Sequence, residues 1–149
     1  MPVKTFRPLT PSTRYITIAS YDEITKTKPE KSLVEIRKKT GGRNHYGRLT
    51  ARGIGGGHKQ KIRTVDFKRQ KHGVEATVAA IEYDPIRTAR LALLQYADGV
   101  KTYIVAPAGL QVGAKVMSGA AAAPDLGNAL PLKNIPVVIA IHNIEMHAG

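Results

Sequence analysis

The stretch Ala89-Arg90-Leu91-Ala92-Leu93-Leu94-Gln95-Tyr96-Ala97-Asp98-Gly99-Val100-Lys101-Thr102-Tyr103-Ile104-Val105-Ala106 sets the class of this chain. Two apolar runs flank Asp98-Gly99, a dipeptide that accepts the positive φ angles of a tight hairpin turn. A two-residue type I′ turn at that point places Leu94 opposite Tyr103 and Leu93 opposite Ile104. Both faces of the hairpin are then apolar, with Leu91, Leu93 and Ile104 on one and Leu94, Tyr103 and Val105 on the other. A sheet with one wet face would alternate more cleanly, so a small barrel or a sandwich is expected.

Outward from the hairpin the pattern repeats. Ile62 to Phe67 and Ala76 to Tyr83 read as preceding strands, punctuated by Gly73 and by Asp84-Pro85. Gly109, Gly113 and Gly119 frame another short strand between Leu110 and Met117. Residues 119–132 are rich in turn formers, and Pro124 and Gly127 limit the Ala120 to Ala123 run to about one turn of helix. A last strand is expected over Pro136 to Glu145. Near the start, Pro8 and Pro11 keep the chain extended, and Arg14 to Ile18 alternates as a short strand would. Between Asp22 and Lys39 only Leu33, Val34 and Ile36 cluster, and no element is assigned.

The charge is divided unevenly. The formal net charge of the 149-residue chain is +12, yet residues 1–73 hold 18 Lys or Arg against five acids, and residues 74–149 hold five against six. The basic half is a separate electrostatic object. At its centre, the 25 residues from Arg37 to Lys61 contain eight Lys or Arg, seven Gly and no acid. Tyr46, Leu49 and Ile54 are the only sizeable apolar side chains there, set against about 1–2 kcal/mol per residue for ordering a backbone. An external partner is needed to offset that cost, and bare amides with positive charge suit a polyphosphate. The stretch is therefore expected to order on a partner, with nucleic acid favoured.

Several chemistries fail on inspection. There is no Cys, hence no disulfide, Cys-based zinc ribbon or thiol nucleophile, and a reducing cytosol is the natural compartment. The longest clean apolar run, Val137 to Ile141, is far short of a membrane span. Gly53-Ile54-Gly55-Gly56-Gly57-His58-Lys59 resembles a nucleotide loop but has His58 where a P-loop needs Gly, has Gln60 after the Lys, and lacks a preceding apolar strand. His45, His58 and His72 lie in a positive neighbourhood unsuited to a metal, and hydrogen bonding or stacking on nucleic acid fits them better. No cofactor, metal or catalytic constellation is expected. Arg87 projects from a Pro-fixed turn, a placement suited either to phosphate or to plain solvent. Tyr83, Tyr96 and Tyr103 could stack on bases, though tyrosines at such positions more often pack in a core.

Several blocks taken in order resemble the bacterial-type ribosomal protein L-two family of the large subunit. They include Gly41-Gly42-Arg43-Asn44, Gly47-Arg48, Ile54-Gly55-Gly56-Gly57-His58-Lys59-Gln60, Val65-Asp66-Phe67-Lys68-Arg69, Glu82-Tyr83-Asp84-Pro85 with Arg87, and Asn134-Ile135-Pro136 with His142-Asn143-Ile144-Glu145. The resemblance implies a mainly β protein. It would have an extended basic arm over residues 1–60, an OB-fold-like barrel over 61–120, and a linker with the start of an incomplete SH3-like barrel over 121–149. It also implies a non-enzymatic structural part of the large ribosomal subunit in the cytoplasm, binding large-subunit rRNA near the peptidyl transferase region and subunit interface, beside other ribosomal proteins. The RNA-binding residues expected are Arg43, Asn44, Arg48, Arg52, Gly55, Gly56, Gly57, His58, Lys59, Lys61, Arg63, Lys68, Arg69 and Arg87.

Val138 departs from the family's glycine. The family also continues past the last residue here, so a fragment, a split subunit or a truncated product is expected, and a second polypeptide supplying the other half is an open alternative partner. A free-standing OB-fold single-strand binder is the competing reading.

Overall fold

A computed structural model describes residues 3–147. Its strands are β1 (Val3–Thr5), β2 (Thr17–Ala19), β3 (Val34–Arg37), β4 (Gln60–Arg63), β5 (Ala76–Asp84), β6 (Ala89–Tyr96), β7 (Lys101–Val105) and β8 (Lys115–Val116). Single 3-10 turns occupy Lys31–Leu33 and Leu132–Asn134. The main sheet is antiparallel in the order β7-β6-β5-β8 and curls into a half-barrel, in keeping with the OB-fold-like build expected. Two small antiparallel pairs, β1-β2 and β3-β4, complete the fold. No helix among the described residues is long and apolar enough to cross a membrane.

The main sheet buries both faces, as the apolar content of the central hairpin requires. On one face Ala76, Val78, Ala92, Leu94, Tyr96 and Ile104 pack with Leu110 and Val116. On the other, Ala80, Leu91, Leu93 and Tyr103 pack beneath Leu33, Val65 and Val105. Complete burial of a side chain such as Leu94 contributes about 1.5–3 kcal/mol.

A bulge between Val78 and Ala80 divides β5 between these faces. Before it, Ala76 and Val78 pair with Tyr96 and Leu94; after it, Ala80 and Glu82 pair with Leu93 and Leu91. The extra residue shifts the two-residue side-chain period by one, re-aiming everything beyond it. Glu82 and Asp84 thereby turn to the face covered by β3 and β4.

The hairpin register differs from the sequence expectation by one residue. Leu93 pairs with Tyr103, and Leu94 with Thr102. The connection holds three residues rather than two: Tyr96 N–H donates to Val100 O at 3.0 Å, and Gly99 takes φ +79°. Asp98 uses its side chain to accept the Val100 N–H at 3.1 Å. This is the three-residue alternative, a turn closed by a left-handed Gly, and it moves Tyr103 to the face of Leu91 and Leu93.

Three other strand expectations shift. Ile62 to Phe67 gives way to β4 over Gln60–Arg63, with only an isolated bridge at Val65 beyond it. The pairing near the N-terminus runs over Thr17–Ala19 rather than Arg14 to Ile18. Pro136 to Glu145 forms no strand: Val137 and Val138 are fully exposed, and the segment has no ladder partner among the described residues. Alternation alone does not make a strand where backbone groups lack a neighbour to bond. The Ala120 to Ala123 run forms turns, with no helix.

Candidate nucleic-acid interface

β3 and β4 form the root of a long hairpin, with Val34 opposite Arg63 and Arg37 opposite Gln60. The root joins the half-barrel through Val65, which bridges to Tyr103, and through Asp66 N–H, which donates to Tyr103 O at 2.8 Å. Beyond the root, residues 38–59 are organised by backbone hydrogen bonds in place of a core. Gly42 O accepts from Thr50 N–H at 2.9 Å and Ala51 N–H at 3.1 Å, and Arg43 bridges to Leu49. Tyr46, Leu49 and Ile54 stay exposed, as their isolation in the sequence implies.

Gly42 is where only glycine fits. Its φ is +74°, and a Cβ there would lie 2.6 Å from Ala51 O. Gly55 and Gly56 meet nothing within 4 Å, so their bare backbone faces open space. Gly57 combines φ +64° with the Lys39 ammonium, 3.1 Å from a notional Cβ.

The expected RNA-binding residues divide into three groups. Arg43, Arg48, Arg52, Gly55, Gly56, Gly57, His58, Lys59 and Lys61 are all exposed on the hairpin, and Lys68 is exposed just beyond it. Asn44 is half-buried and shapes the tip, where its Oδ1 accepts from Tyr46 and Arg48 N–H, each at 3.0 Å. His58 donates from Nδ1 to Lys59 O at 2.8 Å.

Arg63, Arg69 and Arg87 face inward. Arg63 is 5% exposed, its guanidinium 3.5 Å from Glu82 and 3.7 Å from Asp84. Arg69 donates from Nη1 to Gly127 O at 3.0 Å, and burial pushes its pKa down from the usual arginine value. Arg87 donates to Asp84 Oδ2 at 2.8 Å and to Arg63 O at 3.1 Å, leaving it half-buried.

Arg63 and Arg87 belong to a buried polar network beneath the hairpin root, while Arg69 lies apart from it against Gly127, Asp66 and Ser118. Glu82 and Asp84 are both 0% exposed. Glu82 faces Arg63 and Lys26 and accepts the Tyr103 hydroxyl, which in turn accepts the Glu30 N–H. Glu30 lies against Lys26 and Lys101, whose hydrogen bonds hold its carboxyl below the usual range. Buried carboxylates require such partners, because an unpaired charge in low dielectric is expensive. Sequence reasoning missed this network, although two carboxylates inside an apolar strand were its visible signal.

Tyr96 and Tyr103 are core residues, 4% and 0% exposed, and Tyr83 packs edge-on against Tyr21. Stacking on bases is closed to the buried pair. No group of three or more His, Asp or Glu among the described residues could hold a metal ion.

Fold and site together define a small β domain bearing a basic glycine-rich hairpin. Residues 30–118 match the family described as Ribosomal Proteins L2, RNA binding N-terminal domain, and the chain belongs to that family. Over all 149 residues it is 60% identical to a protein of Akkermansia muciniphila, 58% to one of Cytophaga hutchinsonii and 59% to one of Bacteroides thetaiotaomicron, each named large ribosomal subunit protein uL2. The alignments cover 54%, 53% and 54% of those proteins, so the chain spans about half the length of the curated relatives it matches.

Proposed function

We propose that this chain is a structural, non-catalytic constituent of the large ribosomal subunit that binds large-subunit rRNA. It sits near the peptidyl transferase region and subunit interface, among other ribosomal proteins, and supports assembly and subunit association. Its place is the ribosome of the cytoplasm. Residues 1–60 act as the RNA-binding arm, 61–120 as the OB-fold-like barrel, and 121–149 as the linker and opening of an SH3-like domain.

The observation that carries this reading is the hairpin surface. From Arg37 to Lys61 it presents cations and open glycine backbone with no carboxylate. Phosphates bind such a surface by counterion release, and Gly55 and Gly56 let a ribose-phosphate chain come close. Arg43, Arg48, Arg52, His58, Lys59, Lys61 and Lys68 make the outward contacts. Arg63 and Arg87 hold the hairpin root to the barrel, Arg69 ties the barrel to the segment at Gly127, and Asn44 holds the tip. RNA binding covers the hairpin, so amide exchange at residues 37–61 slows on binding.

Sedimentation tests the reading. The chain is expected to travel with large subunits at moderate salt; even distribution over unrelated RNAs would favour a general single-strand binder instead.

A further inference from the structure

The hairpin tip carries an aromatic side chain with no structural employment. Tyr46 is 77% exposed, and its ring meets that of His45, with centroids 3.9 Å apart and planes tilted by 43°. The loop beneath it is fixed. Asn44 N–H donates to Arg48 O at 3.0 Å, Gly47 N–H donates to Asn44 O at 3.0 Å, and Asn44 Oδ1 takes the Tyr46 and Arg48 amides. Gly47 turns the chain at φ +77°. A large apolar ring is thus held in water on a rigid tip, where it adds nothing to a core.

We infer that the Tyr46 ring, backed by His45, is a stacking platform for one unpaired base of RNA. This rests on the RNA-binding reading above and deepens it. Arg43 and Arg48 lie three and two residues from Tyr46 in the chain at exposed positions, and the stretch from Arg37 to Lys61 bears no acid to repel a phosphate. Those cations bring the backbone to the tip, and the ring then meets the flat face of a base. Bases within an A-form duplex already stack on their neighbours, so only a splayed or single-stranded base offers that face. The fixed loop reduces the ordering cost of the contact. Stacking is tolerant of sequence, so the platform selects an unpaired nucleotide rather than a particular base.

The chain contains no Trp, so Tyr46→Trp introduces a sole indole at the tip. Its emission is expected to be quenched by a transcript of bacterial large-subunit rRNA and left unchanged by a blunt-ended RNA duplex. Tyr46→Ala should weaken rRNA binding about 5- to 150-fold at both low and high salt, while Tyr46→Phe keeps the wild-type affinity. Tyr46 is exposed, so thermal unfolding of all three variants should match the parent. Equal quenching by duplex and rRNA, or undiminished binding by Tyr46→Ala beside weakened binding by Arg48→Ala and Lys59→Ala, overturns the platform and leaves the RNA-binding reading standing. If Arg48→Ala and Lys59→Ala also bind as the parent does, that reading falls with it.

Discussion

The Tyr103 hydroxyl donates to Glu82 Oε2 at 2.8 Å with both side chains fully buried. The same oxygen accepts the Glu30 N–H at 2.8 Å, so one phenol ties β7, β5 and the segment that leads into β3. Tyr103→Phe deletes that hydroxyl, stripping a hydrogen bond from a buried carboxylate and an acceptor from an amide. A loss of about 1–3 kcal/mol is expected, read as a lower urea midpoint. An unchanged midpoint would mean that the hydroxyl does not bind the elements together.

Burial pushes the Tyr103 phenol up to about 12, against about 10 in an unfolded chain. The folded state therefore favours the protonated form. Its contribution is fully present below pH ~10 and is lost as pH rises from there towards ~12, since the unfolded chain releases the proton first. The parent is expected to destabilise across that window more steeply than Tyr103→Phe. Parallel slopes for the two proteins would contradict the assignment.

Glycine substitutions separate folding from contact. Gly42→Ala forces a Cβ against Ala51 O and strains a positive φ, so the hairpin should loosen before any RNA is added, with faster amide exchange at Thr50 and Ala51. Gly56→Val meets open space and should leave unfolding unchanged. If RNA approaches that backbone, Gly56→Val weakens binding at low and high salt alike, whereas the Lys59→Ala defect shrinks as salt rises. Full affinity in the valine variant would reduce the stretch to a charged tether.

Much of the half-barrel was legible because β5, β6 and β7 are continuous apolar runs bounded by turn residues. Their register was not, since Asp98-Gly99 serves both a two-residue turn and a three-residue one, and the choice depends on how Tyr96 and Val100 bond. Strands β3 and β4 were obscure because their stability comes from each other across a 22-residue gap, with Ile36 exposed and Arg63 buried. The basic composition of the arm was plain. Which arginines face out was not, because a buried arginine and a phosphate-binding one read alike until Glu82 and Asp84 are placed beneath the root.

That division of arginines gives the last prediction. If about six to eight exposed cations between Arg37 and Lys71 meet phosphates, log affinity should fall with log salt at a slope of roughly −4 to −7. Removing Arg48, Arg52 or Lys59 singly should shallow the slope by about 0.7–0.9 with little effect on stability. Arg63→Met should behave oppositely. It strands Glu82 and Asp84 without their shared cation, an imbalance that typically costs about 3–5 kcal/mol, while the slope measured on the folded fraction stays at the parent value. Should Arg63→Met instead shallow the slope and leave stability intact, Arg63 would be a phosphate ligand, and the buried carboxylates would have to be balanced by Lys26 and Arg87 alone.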